Sequence, residues 1–110
     1  MSQRVIRVNE LVKREISEIL HTRYQSETVS ITISDVDISP DLRKGKVYYS
    51  VLGDEASLDD AEFFFNRHAN RIKKLVGKKI VLKYLPHLEF IYDQGLAQGA
   101  RLNDLLDQLD

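Results

Sequence analysis

The chain reads as an α+β protein of order α-β-β-α-β with a short closing α, its helices on one face of a three-stranded sheet. Three observations predict this. Two segments, residues 4–21 and 57–76, repeat apolar side chains at steps of three and four, which makes one buried helical face. Two segments, residues 29–38 and 47–51, alternate apolar and polar residues with the period of a strand. The second helix is long enough to serve as a crossover between the second strand and a third.

In the first helix, Val5, Val8, Val12, Ile16 and Ile19 form the apolar face with Leu11 and Leu20 beside them, and Ser2 is a candidate cap. Strand one follows, with Val29, Ile31 and Ile33 in phase. The phase slips by one to Val36 and Ile38, which either bulges the strand or ends one face at Ser34-Asp35. Ser39-Pro40-Asp41-Leu42 is a turn, because proline fixes φ and aspartate bonds the backbone just beyond it. Val47, Tyr49 and Val51 continue on one side of strand two, and so short a connection predicts an antiparallel hairpin.

Gly53-Asp54-Glu55 ends that strand. Ser57-Leu58-Asp59-Asp60 then has the form of a helix start, a serine cap followed by first-turn acids. Leu58, Ala61, Phe65, Ile72, Leu75 and Val76 share its apolar face, and Gly77 is the expected stop. Residues 80–92 read as a strand broken by Pro86. Leu102, Leu105, Leu106 and Leu109 give the short terminal helix.

One domain spanning residues 1–110 is expected from the length. The apolar share of 43% and charged share of 30% are those of a globular protein. Without cysteine there are no disulfides or thiolate metal sites, which suits a reducing cytoplasm. No stretch resembles a signal peptide or a membrane span, so a cytoplasmic protein without membrane contact is expected.

Charge is unevenly placed. Of the chain's 16 cations, seven fall in RHANRIKKLVGKKIVLK, residues 67–83, where there is no acid; nine cations face all 17 acids elsewhere. On an ideal helix Arg67, Arg71, Lys74 and Lys78 share one side away from the apolar face, over about 16 Å of axis. Lys73, Lys79 and Lys83 widen the patch. Such a line can follow successive phosphates, the electrostatic footprint of nucleic-acid binding. The plainer reading is a solvated helix face. Such faces usually interleave acids at i±4, however, and none lies between Glu62 and Glu89.

No catalytic or metal constellation emerges, and no cofactor is expected. His21, His68 and His87 lack metal-ligand spacing. Asp35 and Asp37 share a strand face while Asp41 belongs to a turn, so solvated polarity explains them. Gly95 and Gly99 frame a GxxxG in a polar loop, without its membrane meaning. Phosphate-binding loops, dinucleotide fingerprints and nucleophile elbows are absent from the sequence. Phe64 and Phe65 are assigned to the core rather than to base stacking.

The stretches RVNELVKREISEIL, DVDISPDLRKGKVYYSVLG, LVGKKIVLKYLPHLEFIYD and GARLNDLL together resemble ribosome-binding factor A, a bacterial small-subunit assembly factor, from about Arg4 to Leu109. The resemblance implies a type II KH-like fold, α-β-β-α-kink-α-β. It also implies that the GXXG loop with which KH domains grip RNA is replaced by an interhelical kink, normally Ala-x-Gly. That kink aligns here with His68-Ala69-Asn70, and asparagine tolerates the positive φ expected of it. The chain departs from the family at Gln25-Ser26-Glu27, where Asp-Pro-Arg is common, and the basic tail of some members is not expected here, the sequence reading to Asp110.

The implied function is non-catalytic: binding to free 30S subunits and 16S rRNA in late assembly, support of 16S 5′-end processing, and importance for growth in the cold. The implied partners include other assembly factors, and the implied state is a monomer. The RNA contacts would be the cations of residues 67–83, with Arg4, Arg7, Lys13 and Arg14 of the first helix as a second set. Two other readings compete: a KH-like module docking to a ribosomal protein or assembly GTPase without touching RNA, and a small hydrolase or nuclease, for which the scattered histidines offer no site.

Overall fold

The computed structural model describes residues 3–80 and 86–93, with the side chains of Gln3 and Arg4 excepted. The element order is α1 (Gln3–Arg23), β1 (Ile31–Ile38), β2 (Lys44–Val51), α2 (Glu55–Lys79) and β3 (His87–Tyr92). The sheet order is β1-β2-β3, with β1 antiparallel and β3 parallel to the central β2. The expected terminal helix, the Ser2 cap and the Gly95/Gly99 pair lie outside the described residues.

Helix α1 buries Val5, Val8, Val12, Ile16, Ile19 and Leu20, as its periodicity requires. Leu11, expected beside that face, is instead exposed. Past its C-terminus, the fully buried Thr28 hydroxyl lies 2.9 Å from the carbonyls of both Leu20 and Tyr24, sharing its one proton between them. Both carbonyls also accept backbone N–H groups, Leu20 O from Tyr24 at 3.2 Å and Tyr24 O from Glu27 and Thr28 at 3.0 Å, so the hydroxyl is a further donor where the helix ends. The turns that follow keep Val29 out of β1, and its side chain is exposed.

The slip in phase is a bulge. Ile33 pairs with Tyr49 and Asp35 with Tyr48, leaving Ser34 as the extra residue. One added residue lets Ile31 and Ile33 on one side of it, and Val36 and Ile38 on the other, all reach the core. In the following turn Asp41 Oδ1 accepts from Ser39 Oγ at 2.6 Å and from Arg43 N–H at 3.0 Å, while Leu42 takes a φ of 61°.

The start of α2 differs from expectation. Its cap is Asp54, whose Oδ1 accepts from Ser57 N–H at 3.0 Å; Ser57 sits inside the first turn. The helix also passes Gly77 to end at Lys79, with Ile80 N–H donating to Val76 O at 3.0 Å. Glycine costs about 1 kcal/mol in a helix interior, but burial of Leu75, Val76 and Ile80 holds the last turns in place. Of the strand expected over residues 80–92, β3 covers His87–Tyr92 and Ile80 serves as the cap of α2, while residues 81–85 lie outside the described residues.

The kink expected at His68-Ala69-Asn70 is not present. Residues 55–79 form one helix, and Leu42 is the one non-glycine residue with positive φ among those described. The reason is phase. Phe64 and Phe65 before Asn70, and Ile72, Leu75 and Val76 after it, are buried on one continuous 3.6-residue face. A left-handed residue between them would rotate one set out of the core.

Both helices cover the same sheet face. Phe65 stacks on Phe90 at 4.5 Å and meets Tyr49 at 4.4 Å, joining α2 to the sheet. Tyr24 packs edge-on against Phe64 at 5.1 Å, which places the C-terminal end of α1 beside the N-terminal half of α2. At the other end, Ile38 N–H donates to Asn9 Oδ1 at 2.8 Å, pinning the N-terminal half of α1 to the hairpin end of β1.

Candidate nucleic-acid interface

Because α2 is a single helix, the wheel drawn from the sequence holds along its length. Arg67, Arg71, Lys74, Lys78 and Lys79 are exposed, and Lys73 is half-buried with a stem long enough to bring its ammonium to water. Among the described residues none of these six has a carboxylate within ion-pair distance; the one ion pair joins His68 Nε2 to Glu27 Oε2 at 3.7 Å. Lys83 and the side chain of Arg4 lie outside the described residues. On α1, Arg7 and Arg14 are exposed and Lys13 is half-buried.

The fold gives part of this charge a structural role. Lys78 and Lys79 occupy the last turn of α2, where cations complement the helix dipole by about 0.3–1 kcal/mol each. Arg67, Arg71, Lys73 and Lys74 lie farther from the terminus than that effect reaches. They repel one another, bury no core and pair with nothing on the described surface. These four are the cations that folding does not explain.

The two basic sets approach each other at one end. Helix α1 runs from the β1–β2 hairpin toward Tyr24, and α2 returns from the far end of β2, so the helices are antiparallel. Arg7 in the second turn of α1 and the C-terminal turns of α2 therefore share the hairpin end of the sheet. A surface of this kind can hold phosphates by charge and direct hydrogen bonds.

His68, expected at a kink, instead fills the α1–α2 contact, 4.8 Å from the Tyr24 ring and 4.7 Å from Phe64. Ala69 is half-buried, and Asn70 is exposed on the helix. Among the described residues no group of three or more His, Cys, Asp or Glu could hold a metal ion, and no helix is long and apolar enough to cross a membrane. Sequence reasoning missed one residue here. Phe63 is 66% exposed, while Phe64 and Phe65 are buried. The signal was the run Phe63-Phe64-Phe65 itself, since three successive helical positions cover about 200° and cannot all face one core.

Two helices on one face of a three-stranded sheet, with the third strand parallel to the central one, define an α+β two-layer domain. Residues 4–106 match the family model of ribosome-binding factor A. The ribosome-binding factor A of Opitutus terrae is 44% identical over 110 residues, covering 100% of this chain and 90% of that protein. This chain belongs to the ribosome-binding factor A family.

Solved structures share the fold. The crystal structure of ribosome-binding factor A from Thermus thermophilus superposes with a TM-score of 0.68 at 20% identity, covering 80% of this chain and 94% of that one. A homology model of the same organism's factor, fitted into a cryo-EM map of a 30S–RbfA complex, gives 0.58 at 22% identity, covering 74% and 86%.

Proposed function

We propose that this chain is a non-catalytic ribosome maturation factor that binds free 30S subunits through 16S rRNA. The observation that carries the reading is the unpaired row Arg67, Arg71 and Lys74 on α2, in a chain matched by its family over residues 4–106. An exposed cation row with no structural role fits a phosphate backbone, and the family name supplies the ribosome. Residues 1–110 act as one KH-like domain, cytoplasmic and monomeric, with Lys73, Lys78, Lys79, Lys83, Arg4 and Arg7 extending the contact. Its service falls late in assembly, in 16S 5′-end processing, and is needed most in the cold, where misfolded RNA helices escape slowly.

Crosslinking to purified free small subunits, with contacts mapped on both RNA and protein, tests this. Crosslinks from residues 67–79 to 16S rRNA are expected, together with weak binding to assembled 70S ribosomes. Crosslinks confined to ribosomal proteins would overturn the RNA reading in favour of a protein-docking module.

A further inference from the structure

Phe63 stands at the point where α2 changes sign. Before it lie the exposed acids Asp59, Asp60 and Glu62; beyond it come Arg67, Arg71 and Lys74. On an ideal wheel Phe63 falls within about 40° of both Arg67 and Lys74, one turn before Arg67, so it heads the cation row. It also lines an open groove of about 680 Å³, whose lining includes Val29, 86% exposed, and Arg67. Glu27 and Asp60 line the same groove.

A single exposed aromatic is ordinary on a protein surface. Phe63 differs in its company: a second exposed apolar side chain in the same groove, and cations one turn away. Phosphates attracted to the row cannot continue past Arg67, because the acids repel them. An uncharged aromatic ring attached to the last bound phosphate can. We propose that the Phe63–Val29 groove receives an unpaired nucleobase, stacked on the Phe63 ring, from the RNA strand whose phosphates contact Arg67, Arg71 and Lys74. This rests on the RNA-binding reading above and adds to it a base-stacking subsite.

The chain contains no tryptophan, so Phe63→Trp creates a single tryptophan, excited selectively over the five tyrosines, whose emission a stacked base quenches. Titration with single-stranded oligoadenylate should quench it, whereas an abasic oligomer of equal length and charge should not. Equal quenching by both, or none by either, overturns the stacking. On purified free small subunits, Phe63→Leu should weaken binding by about 5- to 150-fold with an unchanged salt slope, the range of base–aromatic stacking. Phe63→Trp should hold wild-type affinity.

A Leu variant that binds as wild type overturns the subsite. In that case a shallower slope for Arg71→Gln/Lys74→Gln in the same series leaves the RNA reading standing, and an unchanged slope removes both. Loss of affinity in the Leu and Trp variants alike also overturns stacking, and assigns the groove to a close-fitting protein contact. Phe63 is largely exposed, and equal melting temperatures verify that each variant is folded.

Discussion

Ser34 Oγ donates to Asp93 Oδ2 at 2.9 Å, so the bulge residue of β1 meets the residue just past β3, with all of β2 between their strands. Asp93 is 8% exposed, and its N–H donates to Tyr49 O at 2.6 Å. The bulge thus adds more than a correction of phase: its extra residue ties the two outer strands of the sheet to each other. A carboxylate this buried depends on its donors.

Ser34→Ala should therefore cost about 1–3 kcal/mol in urea unfolding, the usual result of removing a donor from a buried partner. In a double-mutant cycle with Asp93→Asn, a coupling of about 0.5–3 kcal/mol is expected. Strict additivity would mean that the bulge and the end of β3 are energetically independent.

Asn70 is helical, so substitutions there should follow helix propensity. Asn70→Ala is expected to raise stability by about 0.5 kcal/mol and Asn70→Gly to lower it by a few tenths. The opposite order, with glycine the better residue, would place a left-handed kink at this position after all.

The cap of α2 gives stability a defined pH dependence. Hydrogen bonds from Ser57 N–H and Ser57 Oγ, at 3.0 and 3.2 Å, hold the Asp54 carboxyl below the ordinary aspartate range. A carboxyl whose folded pKa is depressed contributes fully above its unfolded value, and that contribution is lost as pH falls through the folded one. Asp54→Ala should lower the melting temperature at neutral pH, and the gap from wild type should close in acid. A gap that persists below the folded pKa would assign the effect to backbone conformation rather than to the charged cap.

If Arg71 and Lys74 each touch phosphate, changing both to Gln should make the log–log salt slope of binding to free small subunits shallower by about 1.4, at about 0.7 per contact. The melting temperature should not fall, because both side chains are exposed and neither has an ion-pair partner among the described residues. An unchanged slope would reduce these two cations to a solvated face and shift attention to Arg7 and Arg14 of α1.

What the sequence by itself determined is local. Periods of 3.6 and 2 specify two helices and two strands; a one-residue slip marks an irregularity at Ser34-Asp35, which the pairing register resolves as a bulge; a four-residue turn sets the antiparallel hairpin; an acid-free segment marks the basic face. Each of these is written in residues close enough to read together. What only the tertiary structure decided depends on which surfaces meet. Of the three phenylalanines 63–65, two are buried because Tyr24, Tyr49 and Phe90 lie opposite them, and one is left outward. The kink that family resemblance placed at Asn70 yields to an apolar face that stays in phase on both sides of it. Ser34 and Asp93, 59 residues apart, meet because β3 pairs parallel to β2 and ends beside Tyr49. Periodicity shows which face a segment will bury, but the partner that buries it is supplied by distant parts of the chain.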